Sequence, residues 1–177
     1  SVVDGISTEF IESNIEKDVA VIRTMPNTSA TIGYAATAIT KGRFASDEDI
    51  QLAKRLFEAI GTVSVVTEEK MHIVTAISGS GPAYVYYLVE AMEKAAKEEG
   101  LPEDVAKQLI SQTVIGAGYM LKYANEPTSI LRENVTSPNG TTAAGLRTLN
   151  EYNFEEAVIN CVKSATKRSI ELGKEIN

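Results

Sequence analysis

In the first 66 residues, the pattern of hydrophobic and polar positions changes several times between short apolar runs and helical spacing. Short runs rich in Val, Ile and Thr occur at residues 1–5, 20–25, 36–40 and 62–66, and such runs are typical of strands. Helical spacing of apolar residues separates the last two runs, and the segment STEFIESNIE after the first run is also predicted as a helix. Strands that alternate with helices indicate a partly parallel α/β sheet.

The clearest helix of this part precedes residue 61. Ser46 and Asp49 form a capping-box pattern at its start, and Gly61 is predicted to end it. Its apolar stripe consists of Ile50, Ala53, Leu56, Phe57 and Ile60. Because the chain opens on a strand and has few strands for a parallel sheet, we infer that a larger sheet has been cut.

After Glu68 the strand signals stop and helical spacing takes over. A long helix is predicted over residues 71–100, with a kink at SGSGP because Pro82 has no N–H for the carbonyl of Ser78. Pro102 begins a second helix, and two shorter helices are predicted at 126–134 and 141–151. A last helix runs from about 153 to 176.

These helices carry apolar faces that have few partners within so short a region. The face of the second helix consists of Ala106, Ile110, Val114, Ala117 and Leu121. The residues of the last helix predicted to face inward are Val158, Cys161, Val162, Ala165 and Leu172. We therefore expect the helices to meet those of a second subunit.

Composition and charge narrow the function classes. The chain has 177 residues and a net charge of -7, which argues against a nucleic-acid partner. No apolar run approaches the roughly 20 residues that span a bilayer, and no secretory signal is visible, so we expect a cytoplasmic protein without a membrane partner. Cys161 and His72 are the only residues of their types, which excludes zinc sites and Cys/His or Ser/His/Asp catalytic sets. Cys161 is predicted to be a buried core residue.

The segment NVTSPNGTTAAGL at residues 134–146 is the most informative candidate site. Pro138, Asn139 and Gly140 predict a turn, and Thr141 and Thr142 then begin a helix. Unpaired N–H groups at a helix N-terminus can hold a carboxylate or a phosphate. Plain capping of the helix by a Ser or Thr hydroxyl is the alternative, and the residues alone favour it.

Two other segments could line a ligand site. The segment RTMPNTSATIG at 23–33 follows a predicted strand, and open α/β sheets bind ligands at the carboxyl ends of their strands. A simple exit from the strand is the alternative there. The segment SGSGPAYVYY at 78–87 lacks the lysine, spacing and preceding strand of a P-loop.

In this order, MPNTS, SGSGPAY and VTSPNGTT resemble the pyrroline-5-carboxylate reductase family over essentially the whole chain. The resemblance implies reduction of 1-pyrroline-5-carboxylate to L-proline with NADPH or NADH, the last step of proline biosynthesis. It also implies that residues 1–66 are the C-terminal portion of a Rossmann dinucleotide-binding domain. Residues 67–177 would be an all-helical domain for dimerisation and substrate binding, in a homodimer or higher homo-oligomer.

The resemblance also implies roles for individual residues. The implied substrate-binding residues are Ser137, Gly140, Thr141 and Thr142. The implied cofactor-binding residues are Met25, Pro26, Asn27, Glu68 and Asn134. The reaction would be hydride transfer to the imine carbon with a proton reaching the ring nitrogen. Thr142 has the best placed hydroxyl for that proton, through a water molecule if needed, although orientation of the imine against the cofactor matters more.

The chain departs from the family pattern at three positions. Asn139 replaces a glycine in the substrate loop, Asp4 stands in place of an alanine that faces the cofactor, and His72 replaces an aspartate. In addition, no segment matches the glycine-rich GxGxxG turn, so we expect the chain by itself to hold cofactor weakly and to be inactive.

The residues leave two other functions to consider. A non-catalytic helical dimerisation module is the alternative function. A β-hydroxyacid dehydrogenase is unsupported because the catalytic lysine spacing of that group is missing.

Overall fold

The computed structural model describes residues 1–3 and 5–176, in which the first part of the chain forms a three-stranded sheet. The strands, in spatial order, are β1 (Ile22–Met25), β2 (Ala35–Lys41) and β3 (Gly61–Val65). β1 is antiparallel to β2, and β2 is parallel to β3. The predicted partly parallel sheet is therefore confirmed.

Helix α2 (Asp47–Glu58) connects the two parallel strands and covers the sheet. The predicted capping box is present: the Asp49 N–H donates to Ser46 Oγ at 3.2 Å, and the Ser46 N–H donates to Asp49 Oδ2 at 2.8 Å. Ile50 and Ala53 pack against the fully buried Ile39 of β2. The predicted stripe is buried only in part, because Leu56 is 64% exposed.

Gly61 begins β3 and does not end the helix, so that prediction was wrong. Helix α2 stops at Glu58, with Ala59 as its C-cap. Gly61 has a φ of 154°, and a Cβ built on it would lie 2.1 Å from the carbonyl oxygen of Ala35. Strand pairing with β2 therefore requires glycine here.

The first residues lie beside β1 without forming an assigned strand. The Ser1 ammonium group donates to the Ile22 carbonyl at 2.7 Å, and the Thr24 N–H donates to the Ser1 carbonyl at 2.7 Å. These two bonds have the pattern of one parallel pair, so the extended backbone predicted there is present at Ser1. The interpretation of Asp4 lies outside the described residues.

The helices of the first part and the 3₁₀ turns are short. Helix α1 (Thr8–Ser13) is capped by the Ser7 hydroxyl, and 3₁₀ turns occupy Thr28–Ile32 and Glu68–Lys70. Helix α3 (Met71–Val74) then runs into a π-helical turn (Thr75–Gly79). The interruption predicted at SGSGP is confirmed.

Five helices make up most of the remaining described residues. They are α4 (Gly81–Glu98), α5 (Glu103–Tyr123), α6 (Thr128–Asn134), α7 (Thr141–Glu151) and α8 (Phe154–Ile176). Gly100, at a φ of 83°, ends α4: its N–H donates to Lys97 and the Leu101 N–H donates to Ala96, a Schellman closure. Each helix among the described residues is too short or too polar to span a bilayer.

Contacts divide the chain into two compact units, residues 1–84 with 159–177 and residues 85–158. The sheet and its core lie in the first unit, where Met25, Ala38 and Met71 form one cluster. The predicted domain boundary after residue 66 stays a prediction. The two compact units are divided at residues 84 and 158, and they are defined by contacts and not by the binding of a nucleotide.

Burial along α5 and α8 is less complete than predicted. Ala106 and Ile110 are buried, but Leu121 is 58% exposed. Cys161 is exposed, and Val158 is 45% exposed, so their prediction as inward residues was wrong for the single chain. The buried residues of α8 are Ser169 and Gly173, near the end of the helix, where the Ser169 hydroxyl lies 3.0 Å from His72 Nδ1.

Candidate functional site

The predicted turn before α7 is present in the second unit. The Gly140 N–H donates to the Ser137 carbonyl at 3.0 Å, which closes a four-residue turn. Pro138 stands at its second position, and Asn139 at its third has a φ of 59°. A proline followed by a left-handed residue is typical of a type II turn. Asn139 therefore adopts the left-handed conformation for which glycine is expected at this position.

The turn leads directly into the first residues of α7. The helix begins at Thr141, its N-cap is Gly140, and no side chain caps it. The alternative of capping by a Ser or Thr hydroxyl is therefore wrong. The first backbone N–H groups of α7 lack intrahelical partners by geometry, and the helix dipole adds partial positive charge there.

Gly140 and Ser137 are in close contact within this turn. A Cβ built on Gly140 would lie 2.3 Å from Ser137 Oγ and 3.2 Å from the Ser137 carbonyl oxygen. The φ of Gly140 is -78°, which any residue can adopt. Glycine is therefore needed here for space beside the Ser137 hydroxyl.

Asn134 ends α6, in the same unit as the turn. Its Nδ2 donates to Glu126 Oε2 at 3.1 Å, and its side chain is exposed. Two residues later, the Thr136 hydroxyl donates to the Arg132 carbonyl at 2.6 Å. These contacts hold the chain between α6 and the turn.

Met25, Pro26 and Asn27 form the exit of β1 in the first unit. Met25 is buried in the cluster with Ala38 and Met71, whereas Pro26 and Asn27 are half-buried. The Asn27 Nδ2 donates to the carbonyl of Ser78 at 3.0 Å. The segment 23–33 is thus tied to SGSGP, an association that the sequence did not predict.

Both oxygens of the Glu68 carboxylate have partners. Arg23 Nη1 lies 2.5 Å from Oε1, and the Thr8 hydroxyl donates to Oε2 at 3.0 Å. Arg23 is 1% exposed, and its Nε and Nη2 have no hydrogen-bond partner among the described residues. Sequence analysis missed Arg23 and Thr8. A charged residue inside the apolar run 20–25 was the available signal for Arg23.

A pocket of about 260 Å³ adjoins this ion pair. Its lining includes Arg23, Glu68, His72 and Lys174. The His72 Nδ1 lies 3.0 Å from the Ser169 hydroxyl of α8, so His72 joins α3 to the end of the last helix. This contact gives a physical role to the histidine that replaces the family's aspartate.

Two groups near these segments have shifted pKa values. Burial raises the pKa of the Tyr84 phenol; a hydrogen bond with Ser80 partly offsets that effect, and the neighbouring Cys161 thiol adds to it. The Thr67 hydroxyl bonds the Glu69 carboxylate and lowers its pKa. Tyr84 therefore stays a neutral hydroxyl at physiological pH, and Glu69 stays ionised.

The predicted site residues fall into two groups, each within one unit. Met25, Pro26, Asn27 and Glu68 lie in the first unit, which also holds the ion pair with Arg23. The second unit holds Asn134 and the segment from Ser137 to Thr142, where the turn presents an uncapped helix N-terminus. The second group can bind an anion, whereas the first combines apolar surface with a fixed carboxylate.

Known proteins match the chain over nearly all of its length. A family model for pyrroline-5-carboxylate reductase dimerisation matches residues 68–172. Pyrroline-5-carboxylate reductase 1 of Bacillus subtilis is 46% identical over 99% of this chain and 59% of its own length. Pyrroline-5-carboxylate reductase 2 of the same organism is 49% identical over 97% of this chain and 62% of its own length. The chain therefore spans less than two thirds of these curated relatives.

Solved structures agree with these matches. A Plasmodium falciparum pyrroline carboxylate reductase with NADP bound has a TM-score of 0.91 and 31% identity, over 98% of this chain and 70% of that one. A pyrroline-5-carboxylate reductase from Coxiella burnetii has a TM-score of 0.92 and 34% identity, over 97% of this chain and 64% of that one. The predicted fold class, a remnant of a Rossmann sheet followed by a helical dimerisation domain, is confirmed. The chain belongs to the pyrroline-5-carboxylate reductase family.

Proposed function

We propose that the chain is the C-terminal part of an oxidoreductase that reduces 1-pyrroline-5-carboxylate to L-proline with NADPH or NADH. The observation that carries the proposal is the uncapped N-terminus of α7 behind the turn at Ser137–Gly140. In this proposal, residues 1–66 complete a Rossmann domain, and residues 67–177 bind substrate and form a homodimer or higher homo-oligomer.

The substrate carboxylate binds at the start of α7. Backbone N–H groups and the hydroxyls of Ser137, Thr141 and Thr142 supply donors, and the helix dipole favours the negative charge. Gly140 keeps space for the Ser137 hydroxyl, since a Cβ there would collide with it. A carboxylate held in this way fixes the orientation of the ring that carries the imine.

The residues of the first group suit the nicotinamide end of a cofactor and not its phosphates. The half-buried Pro26 offers apolar surface beside the buried Met25, and the Glu68 carboxylate would repel a phosphate but tolerates an uncharged amide. The chain has no GxGxxG turn for the pyrophosphate. Bound NADPH or NADH supplies the hydride for the imine carbon.

This chain's own residues then orient the imine and deliver a proton. The loop Met25–Asn27 in the first unit and Asn134 in the second unit are the segments that we assign to cofactor binding. The Thr142 hydroxyl, half-buried in the first turn of α7, passes a proton to the ring nitrogen through water. Because a threonine hydroxyl is a weak acid, most of the rate acceleration comes from holding the imine carbon against the cofactor.

The test requires an extended chain, in which the part of the Bacillus subtilis relative that this chain does not cover is joined ahead of residue 1. We expect the extended chain to oxidise NADPH or NADH in the presence of pyrroline-5-carboxylate, and the 177-residue chain to show no turnover. In the extended chain, Thr142→Val should lower kcat. Thr148→Val in the same helix, whose hydroxyl only contacts the Ala144 carbonyl, should not.

The second candidate, a non-catalytic helical dimerisation module, is favoured by the exposed apolar residues of the long helices. A folded, dimeric extended chain without reductase activity would support that module and contradict the proposed enzyme. Turnover by the 177-residue chain alone would contradict the proposal that it is inactive.

A further inference from the structure

The carbonyl of Ser78 needs a hydrogen-bond donor that its own helix cannot provide. In a regular helix the donor would be the N–H of residue 82, but Pro82 has none. The chain instead forms the π-helical turn Thr75–Gly79, in which the Ser80 N–H donates to the Thr75 carbonyl at 2.8 Å. This arrangement leaves the Ser78 carbonyl available to a partner from another segment.

The side chain of Asn27 is that partner. Its Nδ2 donates to the Ser78 carbonyl at 3.0 Å, across 51 positions of sequence. Its Oδ1 accepts from the Ala36 N–H, near the start of β2, at 3.4 Å. One half-buried amide therefore connects the exit of β1, the start of β2 and the π-helical turn.

The side chain of Met25 lies near this bond. A Cβ built on Gly79 of the π-helical turn would lie 3.7 Å from Met25 Sδ, so a side chain at position 79 would be in packing contact with Met25. The hydrogen bond of Asn27 therefore joins the loop Met25–Asn27 to the turn at a point where Met25 is close to it. Both polar atoms of the Asn27 amide have hydrogen-bond partners within the protein. The side chain of Asn27 therefore sets the position of the loop.

We infer that Asn27 is a positioning residue: it fixes the Met25–Asn27 loop against the π-helical turn and touches neither cofactor nor substrate. The inference rests on the proposed function, in which this loop is assigned to cofactor binding. It assigns to Asn27 an indirect role through Met25 and Pro26.

Two variants separate the position of the loop from the stability of the turn. Asn27→Ala removes the tie and leaves the Ser78 carbonyl unpaired. Adding Pro82→Ala restores an N–H within the helix for that carbonyl, but it does not restore the tie to the loop. In the extended chain we expect Asn27→Ala to raise the KM for the reduced nicotinamide about tenfold, with kcat changed less than about twofold. The double variant should recover the unfolding free energy and keep the raised KM.

Asn14→Ala is the matched control. Asn14 also donates its amide to a backbone carbonyl, that of Phe10 at 2.8 Å, but it is exposed at the end of α1. In the extended chain, the Asn14→Ala variant should have the same KM for the reduced nicotinamide as the unsubstituted chain. An unchanged KM in Asn27→Ala would overturn the inference. Recovery of KM together with stability in the double variant would also overturn it, because Asn27 would then act only by satisfying the carbonyl.

The 177-residue chain gives a readout that does not depend on the proposed function. The Met25 methyl resonance, one of four methionine signals, reports the position of the loop. It should move in Asn27→Ala and stay moved in the double variant, and its return in the double variant would contradict the inference. If the extended chain is inactive, the proposed function fails while this measurement still decides the role of Asn27.

Discussion

At the scale of single residues, the turn before α7 follows from local preferences. Pro138 and Asn139 each favour the backbone conformation that they adopt, so the turn could be predicted from four letters. The collision that a Cβ on Gly140 would cause with Ser137 could not, because it depends on how the turn folds back on itself. Asn139 adopts a left-handed φ of 59°, a conformation that glycine also allows.

Gly140→Ala tests the space beside Ser137. The φ of -78° suits alanine, so the fold should persist, with the Ser137 hydroxyl rotated away and a small shift at the Ser137 carbonyl, 3.2 Å from the new Cβ. In the extended chain we expect the KM for pyrroline-5-carboxylate to rise about tenfold, as for the loss of one hydrogen bond to a charged group. Steady-state kinetics at varied substrate concentration measure this change.

Gly145→Ala is the control for that variant. A Cβ at Gly145, inside α7, would meet nothing within 4 Å. It should leave KM unchanged and stabilise the helix by about 1 kcal/mol. If both alanine variants had the same KM, the Ser137 hydroxyl would not contribute to substrate binding.

At the scale of elements, caps and periodicity decided where most helices begin and end. The Ser46–Asp49 pair and the Schellman closure at Gly100 involve residues within six positions of one another, which is why the sequence predicted the start of α2 and placed the end of α4 within two residues. The π-helical turn was predicted only as an interruption. The partner of its Ser78 carbonyl is Asn27, which lies outside the helix.

The capping box of α2 predicts a pH dependence. Hydrogen bonds from Ser46 lower the pKa of Asp49 below its ordinary value. The backbone N–H of Ser46 contributes most, and its hydroxyl contributes less. A carboxyl with a lower pKa in the folded state stabilises the protein above its unfolded pKa, and this contribution is lost as pH falls through the folded pKa. The free energies of unfolding of the wild type and Asp49→Asn, measured with urea, should therefore differ most near neutral pH.

The difference in unfolding free energy between these two chains should shrink as the pH drops into the acid range. Glu48→Gln, in the same first turn but outside the capping box, is the control for general charge effects. A difference that stays constant from neutral to acid pH would mean that Asp49 does not cap the helix through its charged form.

At the scale of the whole molecule, large apolar side chains remain exposed on the long helices. In α5 the exposed set is Val105, Leu109, Ile115, Tyr119, Met120, Leu121 and Tyr123. The residues Ala106 and Ile110 of the same helix are buried within the chain. Exposed apolar faces of this extent are typical of an interface, in agreement with the match to a dimerisation family.

Leu121→Glu tests whether this face meets a second copy. A carboxylate on a buried interface is costly, so the variant should shift the chain toward monomer in size-exclusion chromatography with light scattering. Its helical circular dichroism should match the wild type, because Leu121 is 58% exposed within one chain. Gln108→Glu adds the same charge to the same helix at an exposed position and should remain dimeric.

A monomeric wild type at micromolar concentration would contradict the dimer. The same dimer in Leu121→Glu would place the interface on another face of the helices.

The sequence by itself determined β1, β2, β3, most of the helix starts and the turn before α7, since each depends on residues close together along the chain. It also determined the family, because three segments in a fixed order carry the resemblance. Only the tertiary structure decided that Arg23 holds Glu68 and that Asn27 holds Ser78, pairs separated by 45 and 51 positions. It also decided that Cys161 is exposed. Long-range pairs form where strands and helices pack, and periodicity specifies only which face of an element is apolar, not what covers it.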